Sequence, residues 1–169
     1  MHIYDFDGTL VSTKTPDTGK IIYEEKTGTK WPHKGWWSKR ESLDINIFNA
    51  DIIEDVNIEY KKSHIDLDTV TVMMTGRITP LSKQVEIVLE SHNLKFDEYH
   101  YNTGGSTEVC KMNTIVTLLG RYLEIREIKM FDDRIKHIPI FEKFGQDLVD
   151  SGRLDKYEVV LVPGGDHNE

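Results

Sequence analysis

One cysteine, Cys110, is all that these 169 residues contain, so no disulfide can form within the chain and the core must hold the fold. A lone thiol fits a reducing compartment, and the expected location is the cytoplasm. No apolar run approaches the roughly 20 residues needed to cross a bilayer, so neither a spanning helix nor a membrane partner is expected. An apolar strand that begins near residue 2 leaves no room for a signal peptide. The string G-x-x-x-x-G-K-[ST] is missing, which argues against a kinase half of the P-loop type. The histidines show no metal-ligand spacing. Basic residues are in deficit: 21 Lys and Arg against 29 Asp and Glu give a formal charge of −8, so the chain as a whole should not attract polyanions.

That deficit is reversed in one stretch. Between Lys26 and Arg40 every charged residue is basic (Lys26, Lys30, Lys34, Lys39 and Arg40), and all three tryptophans, Trp31, Trp36 and Trp37, fall in the same segment. Basic side chains neutralise phosphates and aromatic faces stack on bases, so Lys34, Trp36 and Trp37 are candidate contacts to a nucleic acid. The alternative is that the tryptophans pack a flap onto the core and the lysines solvate it, or that the three rings divide the two tasks.

Along the chain, Ile3 to Phe6 reads as a buried strand, and residues 8–40, rich in Gly, Pro, Thr and Lys, as an irregular excursion. Residues 44–62 look helical, with Ile45, Phe48, Ile52, Ile53 and Val56 on one side. Val70 to Met74 is a second strand that ends at Thr75-Gly76-Arg77. Thr79 and Pro80 then open a helix to about His92. Phe96 to Tyr101 is a third strand, and Ser106 or Thr107 caps a helix to about Tyr122. Glu127 to Phe131 is a fourth strand ending at Asp132-Asp133-Arg134; a helix to about Ser151 and a strand from Tyr157 to Val162 follow. Strands alternating with helices predict an α/β fold with a parallel sheet. The length fits one domain over residues 1–169, with a flap at about 10–43.

The polar motifs gather where such folds bind ligands, at the carboxyl ends of strands. In Asp5-Phe6-Asp7-Gly8-Thr9 the acids are spaced i, i+2, which in an extended chain sets both on one side. Acids held together need a cation or a shared proton, and a hard cation such as Mg2+ prefers oxygen ligands. For phosphoryl transfer, Asp5 can attack phosphorus while Asp7 moves the proton. Thr75 and the Gly76 amide can donate to the phosphoryl oxygens, Lys111 adds positive charge, and Asp132 with Asp133 completes a metal cage. Thr9 is a further candidate contact to substrate. Arg77 and Arg134 either grip a distal phosphate or pair with a nearby acid. Asn102-Thr103-Gly104-Gly105-Ser106 is either a phosphate cradle or a turn. His137 fits a structural hydrogen bond on a helix face, and Cys110 a packed small hydrophobe.

Asp5-Phe6-Asp7-Gly8-Thr9, Thr75, Lys111 and Asp132-Asp133 resemble the four motifs of the haloacid dehalogenase-like (HAD) superfamily. The resemblance implies a Rossmann-like three-layer sandwich with a five-stranded, mainly parallel sheet in the order 5-4-1-2-3, a Mg2+ cofactor and an aspartyl-phosphate intermediate. It makes Asp5 nucleophile and metal ligand, and Asp7 acid/base with its backbone carbonyl on the metal. It favours Asp133 over Asp132 as the direct ligand. Gly35-Trp36-Trp37, Met74-Thr75-Gly76-Arg77 and Phe131-Asp132-Asp133-Arg134 followed by His137 resemble the HAD domain of Swiss Army Knife RNA-repair proteins. The Asp-Asp-Arg ending is similar to the phosphatase half of polynucleotide kinase-phosphatases. The expected activity is a Mg2+-dependent phosphomonoesterase acting on RNA or DNA ends, because a minimal flap leaves room for a large substrate. The alternatives are a phosphatase of nucleotides or sugar phosphates, and a binding module with a vestigial site.

Overall fold

The computed structural model describes residues 1–163 and builds them around a short central strand, β1 (His2–Tyr4). β1 is so buried that Ile3 and Tyr4 have no exposed surface, because it is paired on both edges. On one side lies β4 (Thr71–Ile78), parallel, with Ile3 opposite Val72, and beyond it β5 (Glu98–Asn102). On the other lies β6 (Glu127–Asp132), parallel, with Ile3 opposite Met130, and beyond it β7 (Lys156–Leu161). Counting only these five strands along the chain, the order across the sheet is 5-4-1-2-3.

Side-chain alternation in the strands splits the core into two layers. Tyr4, Met73 and Phe131 point to one face, where they meet Val56 and Tyr60 of α2 (Glu54–Ile65) and Val85, Val88 and Leu89 of α3 (Ser82–Ser91). Ile3, Val72, Met74 and Met130 point to the other, against Ile115 and Leu118 of α4 (Thr107–Arg121) and Phe141 of α5 (Ile138–Asp150). Helices on both faces of a parallel sheet make a three-layer α/β fold. Tyr4 stacks on Phe131 with ring centroids 4.8 Å apart, and its hydroxyl is 2.8 Å from Ser63 Oγ, so the buried phenol is satisfied.

The excursion after β1 is more ordered than its composition predicts. It holds a short strand β2 (Val11–Ser12), the helix α1 (Pro16–Thr27), one 3-10 turn (Arg40–Leu43) and a strand β3 (Asp51–Ile52) antiparallel to β2. Pro16 opens α1, and Gly28, left-handed at φ 73°, closes it with its N–H on Glu24 O. The expected helix over 44–62 starts only at Glu54. Asp44 Oδ1 accepts from Asn46 N at 2.9 Å, and Asp44 O from Ile47 N and Phe48 N, which makes a turn where the apolar spacing mimicked a helix. The flap therefore closes at β3 rather than near residue 43.

Two glycines mark close approaches. A Cβ on Gly19 would overlap the Trp36 ring that seats α1, and one on Gly145 would overlap the Tyr157 ring where α5 lies on β7. Gly120, near the end of α4, has nothing within reach of a Cβ. Gly145→Ala should therefore cost about 1–3 kcal/mol through overpacking. Gly120→Ala should gain roughly 0.5–1 kcal/mol from helix propensity. Urea unfolding of the two variants checks this, and the opposite ranking would contradict the packing described.

Candidate active site

The sheet brings Asp5, Thr75 and Asp132 to one edge by ending or distorting three neighbouring strands. β1 stops at Tyr4, and Asp5 N donates to Phe131 O at 3.0 Å. The chain then turns tightly: Gly8, at φ 70°, donates to Val11 O, and Leu10 N donates to Phe6 O. A left-handed residue is needed there, and glycine adopts it without steric cost. β4 does not end at Met74 as expected but runs on through Thr75-Gly76-Arg77 to Ile78. Its register on β5 slips between Met74 and Ile78, a bulge that takes these residues out of the ladder and aims their side chains.

Asp5, Asp132 and Asp133 are all buried, and carboxylate oxygens from the three lie within 4.8 Å of one another. Lys111, from the second turn of α4, is equally buried and donates from Nζ to Asp5 Oδ1 and Asp132 Oδ2, both at 2.7 Å. Burial alone would lower the Lys111 amine, but Asp132 and then Asp5 outweigh it and hold it above its ordinary value. Asp5 is pushed up to about 6, by burial first, with Lys111 opposing and Asp132 and Asp7 adding to the rise. Asp133 is pushed up to about 8, again by burial first and then by the charges of Asp5 and Asp132.

Both oxygens of Asp133 are buried without a hydrogen-bond partner among the described residues. Leaving such groups unsatisfied is costly. Three carboxylates facing one ammonium leave two negative charges unmatched when all are ionised, and the donors are oxygens only. This set fits a hard divalent cation such as Mg2+, with Asp133 and Asp5 as its side-chain ligands. Asp132 is already engaged: Oδ2 accepts from Lys111 and Oδ1 from Arg134 N at 3.0 Å. Asp132 thus serves to hold Lys111, and the metal assignment rests on Asp133 and Asp5.

Asp7 stands apart. Its carboxylate is outside the acid cluster and is turned to Arg77, which donates from Nε to Oδ2 at 2.9 Å and from Nη2 to Oδ1 at 2.8 Å. Thr13 Oγ1 adds a bond to Oδ1 at 2.6 Å. The two acids of the Asp-Phe-Asp string therefore do not lie side by side on an extended chain: each has its own cation. The atom that the superfamily resemblance assigns to the metal is the Asp7 backbone carbonyl, not this carboxylate.

The remaining candidates divide. Thr75 is buried, and its Oγ1 accepts from Arg77 N at 3.1 Å, which leaves its proton for another acceptor. Gly76 faces Thr107, whose hydroxyl a Cβ would crowd at 2.9 Å. Thr9 is fully buried, and its hydroxyl has no partner among the described residues. Arg134 is half-buried, and its guanidinium makes no ion pair among the described residues, so it can meet an anion. Arg77 cannot do so as it stands, because it is buried on Asp7. Lys34 is exposed.

The tryptophans divide as well. Trp36 is only 3% exposed, packs on Phe48, Trp31 and Gly19, and donates from Nε1 to Lys14 O at 2.9 Å. It belongs to the flap's core, which overturns its role as a base-stacking residue. Trp37 is half-buried, with the Arg77 guanidinium carbon 4.8 Å from its ring centroid, beside Asp7. Thr13 and Ser42, which complete the Asp7–Arg77 cluster, carried no signal in the sequence. Asn102-Thr103-Gly104-Gly105-Ser106 is a self-bonded turn, with Gly104 N on Asn102 Oδ1 at 2.8 Å. A cavity of about 440 Å³ beside Met1, Arg126 and Lys156 lies at the other end of the strands and shares no residue with these motifs.

A three-layer parallel α/β fold with this acid, threonine and lysine arrangement at its carboxyl edge is that of a HAD-type phosphatase domain. A family model described as "HAD domain family 1 in Swiss Army Knife RNA repair proteins" matches residues 18–168, and the chain belongs to that family. The match takes in Thr75, Lys111 and Asp132-Asp133, whereas Asp5 to Thr9 precede it and stand on their own geometry. The chain is also 27% identical over 172 residues to "Uncharacterized protein YMR265C" of Saccharomyces cerevisiae, a similarity that covers 85% of this chain and 36% of the relative. The chain thus spans about a third of that relative's length. No solved structure matches. No helix among the described residues is long and apolar enough to cross a membrane.

The raised carboxyls give a pH prediction with a definite sign. Between their unfolded values near 4 and the folded values of about 6 and 8, Asp5 and Asp133 bind more protons folded than unfolded. Their contribution to stability is present at low pH and lost as pH rises through those folded values. Without divalent cation, stability should fall from pH 5 to pH 8, by up to about 1.4 kcal/mol per pH unit for each group. A divalent cation held by these acids would displace those protons, so Mg2+ should restore the loss at pH 8, while Asp133→Asn should remove most of the slope. Thermal unfolding with EDTA or Mg2+ checks this; a cation-independent slope that persists in Asp133→Asn would contradict it.

Proposed function

We propose that this domain is a Mg2+-dependent phosphomonoesterase that works through an aspartyl-phosphate on Asp5 and acts on phosphorylated nucleic-acid ends. The observation that carries the chemistry is the buried cluster of Asp5, Asp132 and Asp133 on Lys111, with both Asp133 oxygens unsatisfied. An Asp5 oxygen attacks phosphorus, and the bond from phosphorus to the leaving oxygen breaks. Asp7, in its protonated form, gives that oxygen its proton and is left as the carboxylate paired with Arg77. The Asp7 carboxylate then takes a proton from a water whose oxygen attacks phosphorus. The Asp5–phosphorus bond breaks, and inorganic phosphate leaves with Asp5 regenerated. Lys111 holds Asp5 in place and supplies positive charge next to the transferring group, and the Thr75 hydroxyl with the Gly76 amide supplies donors to its oxygens. A bound Mg2+ supplies further charge neutralisation for the phosphoryl oxygens.

Three observations support a nucleic-acid end as substrate. Lys30, Lys34 and Arg40 of the flap are exposed and make no ion pairs among the described residues. Trp37 is half-buried and linked through Arg77 to Asp7, which sets at the edge of the site an aromatic ring of the kind on which bases stack. The family's description names RNA repair proteins. Local charge within about a Debye length, roughly 8–10 Å, outweighs the acidic total.

Asp5→Asn should abolish hydrolysis of p-nitrophenyl phosphate with the fold retained. A panel of 3′- and 5′-phosphorylated oligonucleotides, mononucleotides and sugar phosphates should show kcat/KM at least roughly tenfold higher for one oligonucleotide class, and that preference should shrink as salt rises. Equal or better turnover of the small phosphates would favour the small-molecule reading, and no Mg2+-dependent turnover of any of them would favour a vestigial site.

A further inference from the structure

The mechanism above leaves unused one buried cation at the site, Arg77. It is 2% exposed, at the β4 bulge. Two of its bonds go to Asp7, from Nε and Nη2. The other two go from Nη1 to the flap: to Trp37 O at 2.7 Å and Ser42 Oγ at 2.9 Å. The guanidinium also lies over the Trp37 ring. Ser42 is in turn anchored, since its Oγ donates to Lys39 O at 2.7 Å. An arginine that recognises phosphate presents an open fork, and this one has closed its fork on a carboxylate. Such a fork fixes both the position and the plane of the carboxylate, which Lys, a point charge, does not.

We propose that Arg77 is a positioning residue: it sets the carboxylate of Asp7 for proton transfer and ties that placement to the seating of the Trp37–Ser42 segment, without binding the phosphoryl group. It rests on the reading of Asp7 as the acid/base. The bond changes are those already described, in which Asp7 gives its proton to the leaving oxygen and later takes one from water; Arg77 exchanges no proton. The flap thereby has a mechanical route to the chemistry. A substrate that seats Trp37 and Ser42 also seats Asp7, and one that leaves the flap loose leaves Asp7 misplaced.

The test is kinetic, on the whole chain with Mg2+ and p-nitrophenyl phosphate, with inorganic phosphate as the competitive probe. Arg77→Lys should lower kcat by roughly 10–100-fold, the scale of a misplaced catalytic group, with KM and the inhibition constant of phosphate within about twofold. In an Asp7→Asn background the same change should have less than about a twofold further effect, because a residue that acts through Asp7 has nothing left to position. Ser42→Ala keeps the Arg77–Asp7 pair and removes one flap bond. It should lower kcat severalfold at constant KM in the wild type and not in Asp7→Asn, which keeps the proposal testable if Arg77→Lys fails to fold. A tenfold rise in KM and in the phosphate inhibition constant with kcat kept would make Arg77 a phosphate ligand and overturn the proposal. So would full additivity with Asp7→Asn, or an unchanged kcat in Ser42→Ala. Asp5→Asn is the control on the underlying reading: activity retained there means that the aspartyl-phosphate mechanism has failed, a result separate from all of these.

Discussion

Lys111 holding Asp5 and Asp132, at 2.7 Å each, is the contact on which the rest of the site depends. It joins α4 to the ends of β1 and β6 inside a buried edge, where a lone charge would be costly. Its energetic role is to make the crowding of three acids tolerable without neutralising it. One ammonium satisfies Asp5 and Asp132 and leaves both Asp133 oxygens without a partner among the described residues. The residual charge suits the edge to a cation, which is the basis of the proposed phosphoryl site. A leucine or methionine at position 111 would bury three acids with no counter-charge, and the predicted result is protonated acids or a locally unfolded edge.

The two acids of the opening string are separated by their partners. Asp5 faces Lys111 and the sheet; Asp7 faces Arg77, Thr13 and the flap. A nucleophile and a proton carrier need different surroundings. The backbone turn at Gly8 puts residues two apart in sequence into different networks, as the proposed division of roles requires. The flap is small but bonded through Arg77 to Asp7, and it has a core of its own in Trp36 on Gly19 and Phe48.

What the sequence showed followed from how local its signals were. Val70 to Met74 is apolar but for Thr71, and Glu127 to Phe131 largely alternates, so both strands and their polar endings could be read directly. Lys111 and the acid pair were legible because strand ends and helix starts define where side chains converge. α1 was hidden because it buries only Gly19 of its own residues, so it carries no apolar stripe and depends on Trp36 for its place. The start of α2 was misplaced because Ile45, Phe48 and Ile52 are spaced like a helix face while Asp44 bonds the backbone into a turn. The partner of Asp7 was out of reach for a different reason. Arg77 lies 70 residues away, and its capture by Asp7 and Ser42 rather than by a phosphate is decided by a bulge in β4 that no residue pattern announces.

In the proposed chemistry Asp5 carries the phosphoryl group between two chemical steps. Acid quenching of the protein during turnover of an aryl phosphate with Mg2+, followed by peptide mass mapping, tests it most directly. One phosphoryl group is expected on the peptide that contains Asp5, absent with EDTA and removed by hydroxylamine. Steady turnover with the phosphoryl group on another residue, or with none trapped on that peptide at any quench time, would contradict it.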